Sequence, residues 1–343
     1  MGDTGLRSWT SSRALATLVA TALGAGFLLT AAPAQAADVT SVETVPVVRP
    51  IPPPPPTSAP ATDPRGRPTP TGTPDGSVLD QPTPRAPLDF ADPPTTAMPL
   101  IGYDISWPQC DSELPPGQAF AIVGVNGGLA NNTNPCLAEQ LVWARGSLGG
   151  TTQPPVALYV NTANPAAELA AWWPSSNTYP VWSPTPVPNP YGPCTGGDTP
   201  ACSYIYGYAK AWDNATIRGV PDPASHFWWL DVETENSWGP DPVANRAALE
   251  GMAHYYLDVL GVAGLGIYST GYQWTRIVGG IGPVWSGTES FGPSNLNGLP
   301  SWLAGATSLA GAQANCSSPA LTGGVVTMTQ YVMDDLDHNH SCR

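Results

Sequence analysis

The sequence predicts an α/β protein, a TIM-like (β/α) barrel spanning residues 100–343 and preceded by a disordered proline-rich segment. Two observations lead there. Short apolar runs alternate with helix-like stretches from residue 101 onward, the pattern of strands each followed by a helix. One of these runs, WWLDVE at 228–233, is wholly apolar on one face (Trp228, Leu230, Val232) and carries Trp229, Asp231 and Glu233 on the other, because side chains two apart on a strand share a face. A strand buried under helices outside, with acids reaching an inner mouth, suits a parallel barrel.

The flanking segments bound the domain. Arg7 and Arg13, the apolar run at 14–32 and Ala34-Gln35-Ala36 read as a signal peptide over residues 1–36. Residues 37–99 read as a linker. Between Pro46 and Pro99 lie 18 of the 42 prolines, and such a stretch buries too little apolar surface to offset its ordering entropy. Residues 100–343 hold 12 of the 13 tryptophans and all six cysteines. An even cysteine count behind a signal sequence argues for disulfides, and short loops close most easily, so the pairs expected are Cys110 with Cys136, Cys194 with Cys202, and Cys316 with Cys342.

Within the domain, strands are expected at 101–106, 119–125, 156–160 and 226–233, then at 264–269, 300–306 and 325–333. Helices are expected at 135–146, near 165–172, at 210–215 and at 271–279. The clearest spans 241–261, with Leu249, Met252, Ala253, Tyr256 and Val259 or Leu260 on one face and Gly261 past its end. Residues 174–202, rich in proline and glycine, read as an irregular insertion, with Tyr204, Tyr206 and Tyr208 ahead of the helix.

Charge excludes one partner class. From residue 100 onward, 18 Asp and Glu stand against Lys210 and five arginines, which argues against nucleic acid. No cofactor motif occurs and no metal is expected, although Asp334, Asp335 and Asp337 beside His338 and His340 leave a metal as an alternative. Asp231 and Glu233, about 6 to 7 Å apart along a strand, can bring their carboxyl groups to the separations that glycoside hydrolysis uses. Glu233, nearer the mouth, suits a general acid, and Asp231, deeper, is expected to stay ionised beside it.

Four stretches together resemble glycoside hydrolase family 25, the Chalaropsis-type muramidases: IGYDIS at 101–106, WWLDVE at 228–233, GIYSTGYQW at 266–274 and TQYVMDDLDHN at 329–339. The resemblance implies the (β/α)5(β)3 variant of the barrel. It also implies catalytic acids at Asp104, Asp231, Glu233 and Asp337, with Asp335 competing for the last place. Tyr268, Trp274 and Trp302 become candidate sugar-stacking residues. The chain departs from the family pattern at Asn126, after the second strand, and at Tyr159-Val160-Asn161, ending the third; those positions contact sugar in the family, so Asn126 and Tyr159 join the candidate substrate-binding residues. The expected activity is hydrolysis of a bacterial wall glycan or related polysaccharide, secreted or wall-associated and free of the membrane once the signal is cleaved. The alternative is a non-catalytic glycan-binding or structural envelope protein on the same barrel. Limited proteolysis of the oxidised protein should trim the proline-rich segment and leave a resistant core starting near Pro99; cleavage spread evenly through 100–343 would contradict the assigned boundary.

Overall fold

A computed structural model describes residues 100–284, 293–333 and 336–342. The signal and linker assignments, and Asp334 and Asp335, lie outside these residues. Eight strands close a barrel in chain order: β1 (Ile101–Ile105), β2 (Phe120–Gly124), β3 (Val156–Asn161), β4 (Phe227–Asp231), β5 (Gly264–Ser269), β6 (Ser301–Ala306), β7 (Val326–Met333) and β8 (Leu336–Ser341). The first seven run parallel, and β8 runs antiparallel to both β7 and β1. The helices are α1 (Leu137–Ala144), α2 (Ala166–Leu169), α3 (Pro200–Thr216), α4 (Pro242–His254), α5 (Gly271–Val278) and α6 (Leu309–Asn315). Among the described residues none is long and apolar enough to cross a membrane.

The two faces of each strand build two cores. Outward side chains, including Trp228, Leu230, Val232, Val123, Leu158 and Ile267, pack beneath the helices. Inward ones, Phe120, Ile122, Ala157, Trp229, Trp302 and Met328, fill the barrel. The face assignment read from WWLDV therefore holds. Inward glycines make room for the aromatics: a side chain at Gly266 would overlap the Trp229 ring, so small and large residues alternate around the interior to keep it close-packed.

The long helix follows its sequence signals. Asp241 caps α4 by accepting from the Val243 amide at 2.9 Å, and after His254 the coil continues as a π-helical turn, Tyr255–Leu260, that Gly261 ends with φ of 68°. Left-handed backbone there favours glycine. Leu249, Met252, Ala253 and Tyr256 of the predicted face lie inside, but its last position does not: Val259 is exposed and Leu260 half-buried, because the wider π-helical turn shifts the side-chain phase after Tyr255.

Three elements differ from expectation. The helix expected at 210–215 starts at Pro200, capped by Thr199, and takes in all three tyrosines. It is buried almost all round, so it lacks the one-sided periodicity by which helices are read, while tyrosines two apart mimic a strand. A short helix, α6, falls between β6 and β7, where the (β/α)5(β)3 pattern has none; Ser308 caps it through the Gly311 amide at 3.2 Å. Finally, LDHNHS forms β8, a strand whose polar sequence carries no apolar alternation.

All three disulfides pair as expected. They tie the loop after β1 to the start of α1, the 162–199 insertion to α3, and the end of α6 to the chain after β8. Against the barrel, α3 and α4 cross in close contact: a Cβ at Gly207 would overlap the Ala248 carbonyl oxygen, and one at Gly251 the Tyr204 carbonyl oxygen. Backbone cannot yield as a flexible side chain does, so Gly207→Val should lower stability by about 3 kcal/mol or more, read as a reduced denaturation midpoint; an unchanged midpoint would mean the two helices separate at little cost.

Candidate active site

The mouth of the barrel at the C-terminal ends of its parallel strands gathers acids from three strands. Asp104 is the fourth residue of β1 and Asp231 the last of β4. Because β8 runs the opposite way, its early residues lie at this same mouth, and the register sets Asp337 directly across from Asp104. Two acids facing each other across an antiparallel pair have neighbouring side chains.

Asp104 is buried, yet amides saturate its carboxylate. Gln330 Nε2 on β7 donates to both oxygens at 3.1 Å, and Asn339 Nδ2 on β8 donates to Oδ1 at 2.5 Å. The Tyr268 hydroxyl on β5 donates to Gln330 Oε1 at 2.8 Å, which fixes the amide so that its nitrogen faces the acid. Burial, then the charge of Asp337, raises the proton affinity of Asp104 well above that of an ordinary aspartate, and the two amides oppose the shift.

Asp231 sits as deep. Its Oδ2 accepts from Asn161 Nδ2 at 2.9 Å, whereas Oδ1 is buried without a hydrogen-bond partner. Burial first, then the charges of Glu233 and Asp104, raises its proton affinity well above the usual range. This opposes the expectation that depth leaves Asp231 ionised: burial favours its protonated form.

Glu233 lies two residues past the end of β4 rather than on it. The strand pairing persists one residue further, through the Val232 amide to the Tyr268 carbonyl at 2.9 Å, and the chain then turns, with the Asn236 amide donating to the Glu233 carbonyl at 3.2 Å. Trp238 Nε1 holds that same carbonyl at 2.8 Å. The half-buried carboxyl reaches Tyr268 and Gln273; burial, then Glu235 and Asp337, raises its proton affinity while those two hydrogen bonds lower it. Asp337, also half-buried, is raised by burial and opposed by His338. Among the described residues no lysine or arginine pairs with any of the four acids; the ion pair there is Lys210 with Asp213.

Two tyrosines stand between the acids. The Tyr268 phenol is pushed well up, first by burial and then by the charges of Glu233, Asp104, Asp231 and Asp337, so one hydroxyl lies in the field of all four. Tyr159 is raised by burial and feels Asp104, Asp231 and Asp337, with a hydrogen bond to Ser106 opposing.

Three residues expected to meet sugar are turned to other tasks. Trp274 is fully buried in the outer core, because α5 directs it at the sheet rather than at the mouth. Trp302 is fully buried in the barrel floor, its ring centroid 4.3 Å from that of Tyr268 and 5.7 Å from that of Trp229, so it supports Tyr268 from beneath. Asn126 spends its whole amide on the fold: Nδ2 donates to the Asn132 carbonyl and to Asn214 Oδ1, and Oδ1 accepts from the Asn161 amide.

Sequence reading passed over the roles of Gln330, Asn339, Asn161, Gln273 and Glu235. Gln330 and Asn339 lie inside the closing TQYVMDDLDHN stretch, and a strand assignment for 336–341 would have turned Asn339 inward with Asp337 by parity. Among the described residues no three His, Cys, Asp or Glu side chains are grouped to hold a metal ion, and the donors on Asp104 are neutral amides.

No family model matches this sequence, and no curated protein does. Among solved structures the chain is similar to a muramidase from Trichobolus zukalii, with 16% identity and a TM-score of 0.38 over 71% of this chain and 93% of that one. A likeness at that level carries no functional argument, which leaves the site's own chemistry to supply one.

The buried acids set a pH dependence. A carboxyl whose proton affinity is higher folded than unfolded binds more protons in the native state, so stability is greatest below the unfolded aspartate range and falls as pH rises through the folded one. Asp231→Asn should therefore melt higher than the parent protein at pH 7 to 8, with the gap closing toward pH 4. Equal melting curves at both ends, followed by circular dichroism, would show that Asp231 carries no such cost.

Proposed function

We propose that this protein is a glycoside hydrolase acting on a bacterial cell-wall glycan or a related polysaccharide. The observation that carries the reading is the convergence of Asp104, Asp231, Glu233 and Asp337 on one barrel mouth, each with raised proton affinity. Perturbed acids meeting in a cleft are what proton transfer at neutral pH requires, and the C-terminal mouth is where barrel enzymes work.

In this reading Glu233 is the general acid. It is the half-buried member of the Asp231/Glu233 pair, so it can meet the glycosidic oxygen of a polymer lying across the mouth, and burial with the charges of Glu235 and Asp337 favours its protonated form. As the bond breaks, positive charge develops on the sugar, and neighbouring carboxylates stabilise it. That charge favours the ionised form of Asp231, whose proton passes to solvent. Asp231 then orients a polar substituent, such as a 2-acetamido group that assists its own bond cleavage. Asp104 and Asp337 hold the sugar from the β1 and β8 side, and the Tyr268–Gln330 pair keeps Asp104 aimed. Three disulfides suit the oxidising exterior where such a polymer lies.

A non-catalytic glycan-binding reading draws on one observation: Asn126 and Asn161, at positions that departed from the family pattern, spend their amides on protein contacts. Reducing-end release from peptidoglycan separates the two. Glu233→Gln should cut turnover of an unactivated glycan by roughly 10²- to 10⁴-fold while sparing an aryl glycoside whose leaving group needs no proton, and Asp231→Asn should impair both. Normal turnover by Glu233→Gln on the unactivated glycan, with the fold intact, removes Glu233 from this role.

A further inference from the structure

Beside the acid loop lies a cavity of about 540 Å³, lined by Thr234, Asn236, Trp238, Asn245 and Arg276 among others, a size that holds a sugar or a short substituent. Its floor is rigid. Asn245 donates to the carbonyls of Gly239 and Ile277 and accepts from Asn164, so its amide is spent. Its wall joins the site already described, because Trp238 holds the Glu233 carbonyl and α5 supplies both Arg276 to the cavity and Gln273 to Glu235, the latter bond 2.9 Å.

Arg276 is exposed. It forms no ion pair among the described residues, although Glu233 and Glu235 belong to the adjoining loop and 18 acids outnumber six bases from residue 100 onward. A guanidinium left free in such surroundings, at the edge of a cavity with an indole in its wall and the polar side chains of Thr234 and Asn236 at its rim, fits a planar anion that it grips by two parallel hydrogen bonds.

We propose that this cavity binds a carboxylate-bearing substituent of the glycan, with Arg276 as the anion-recognising residue. The inference deepens the hydrolase reading and rests on it for the glycan. Occupancy presses on Trp238, and through its indole on the backbone of Glu233, so a substituent in this cavity also steadies the proposed acid. The recognised polymer therefore carries carboxylates at intervals along its chain, in contrast to a neutral homopolymer.

The test uses the full chain and two probes: peptidoglycan glycan strands with free carboxylates, and the same strands after conversion of the carboxylates to amides. The parent protein should bind the free-carboxylate strands at least about tenfold more tightly, and Arg276→Ala should erase that preference while leaving affinity for the amidated strands unchanged. Equal binding of both probes by the parent protein, or a preference surviving in Arg276→Ala, overturns the proposal. Reducing-end release measured in the same samples keeps the two claims apart. An Arg276-dependent preference without turnover supports the cavity and sinks the hydrolase, whereas turnover with no preference sinks the cavity alone.

Discussion

Closure of the barrel by one strand running the wrong way is the constraint from which the site follows. Were β8 parallel to its neighbours, its first residues would lie at the opposite end from the C-terminal tips of β1 and β4. Antiparallel pairing with both β7 and β1 brings Asp337 to the mouth opposite Asp104 and places Asn339 one inward position deeper. There it donates to the Asp104 carboxylate, and Gln330, its cross-strand partner on β7, donates beside it. The same ladder thus finishes the fold and supplies both an acid and the amide that makes another buried acid tolerable.

What lies beneath the acids gives them their chemistry. Phe120, Trp229, Trp302 and Met328 fill the interior below, so the deeper carboxyls face hydrocarbon on one side and water at a distance on the other. A charge in that setting is costly, and proton affinity rises until partners offset the cost. Asp104 has amides on both oxygens, Asp231 on only one, and Glu233 stands further out with a phenol and an amide. Graded solvation across one cluster is how acids of the same kind come to hold different duties.

The outer layer serves the site at second hand. Close crossing of α3 and α4 at Gly207 and Gly251 seats both helices against the sheet that presents Asp231. Next to α4, α5 packs Trp274 inward and sends Gln273 to Glu235 in the acid loop. Of the three disulfides, Cys194–Cys202 is buried in the outer core, and the other two join the loop after β1 to α1 and the end of α6 to the chain after β8.

Much of this was legible in the sequence, for identifiable reasons. Strands β1 to β7 announce themselves through apolar runs of the right length, α4 through its periodic face, its Asp241 cap and Gly261, and the disulfides through even number and short spacing. The faces of WWLDV follow from a period of two, which local geometry fixes. Tertiary structure decided what depends on neighbours distant in sequence: that LDHNHS is a strand, that α3 is buried on every side, that Trp274 and Trp302 are packing residues, and that Asn126 is spent on the fold. It also decided which acid is most desolvated, since that depends on the aromatics stacked beneath from β2, β4 and β6. A sequence determines the faces its strands and helices present, because those repeat with local geometry; which side chains meet across the barrel, and how much water reaches them, is set only when the last strand closes it.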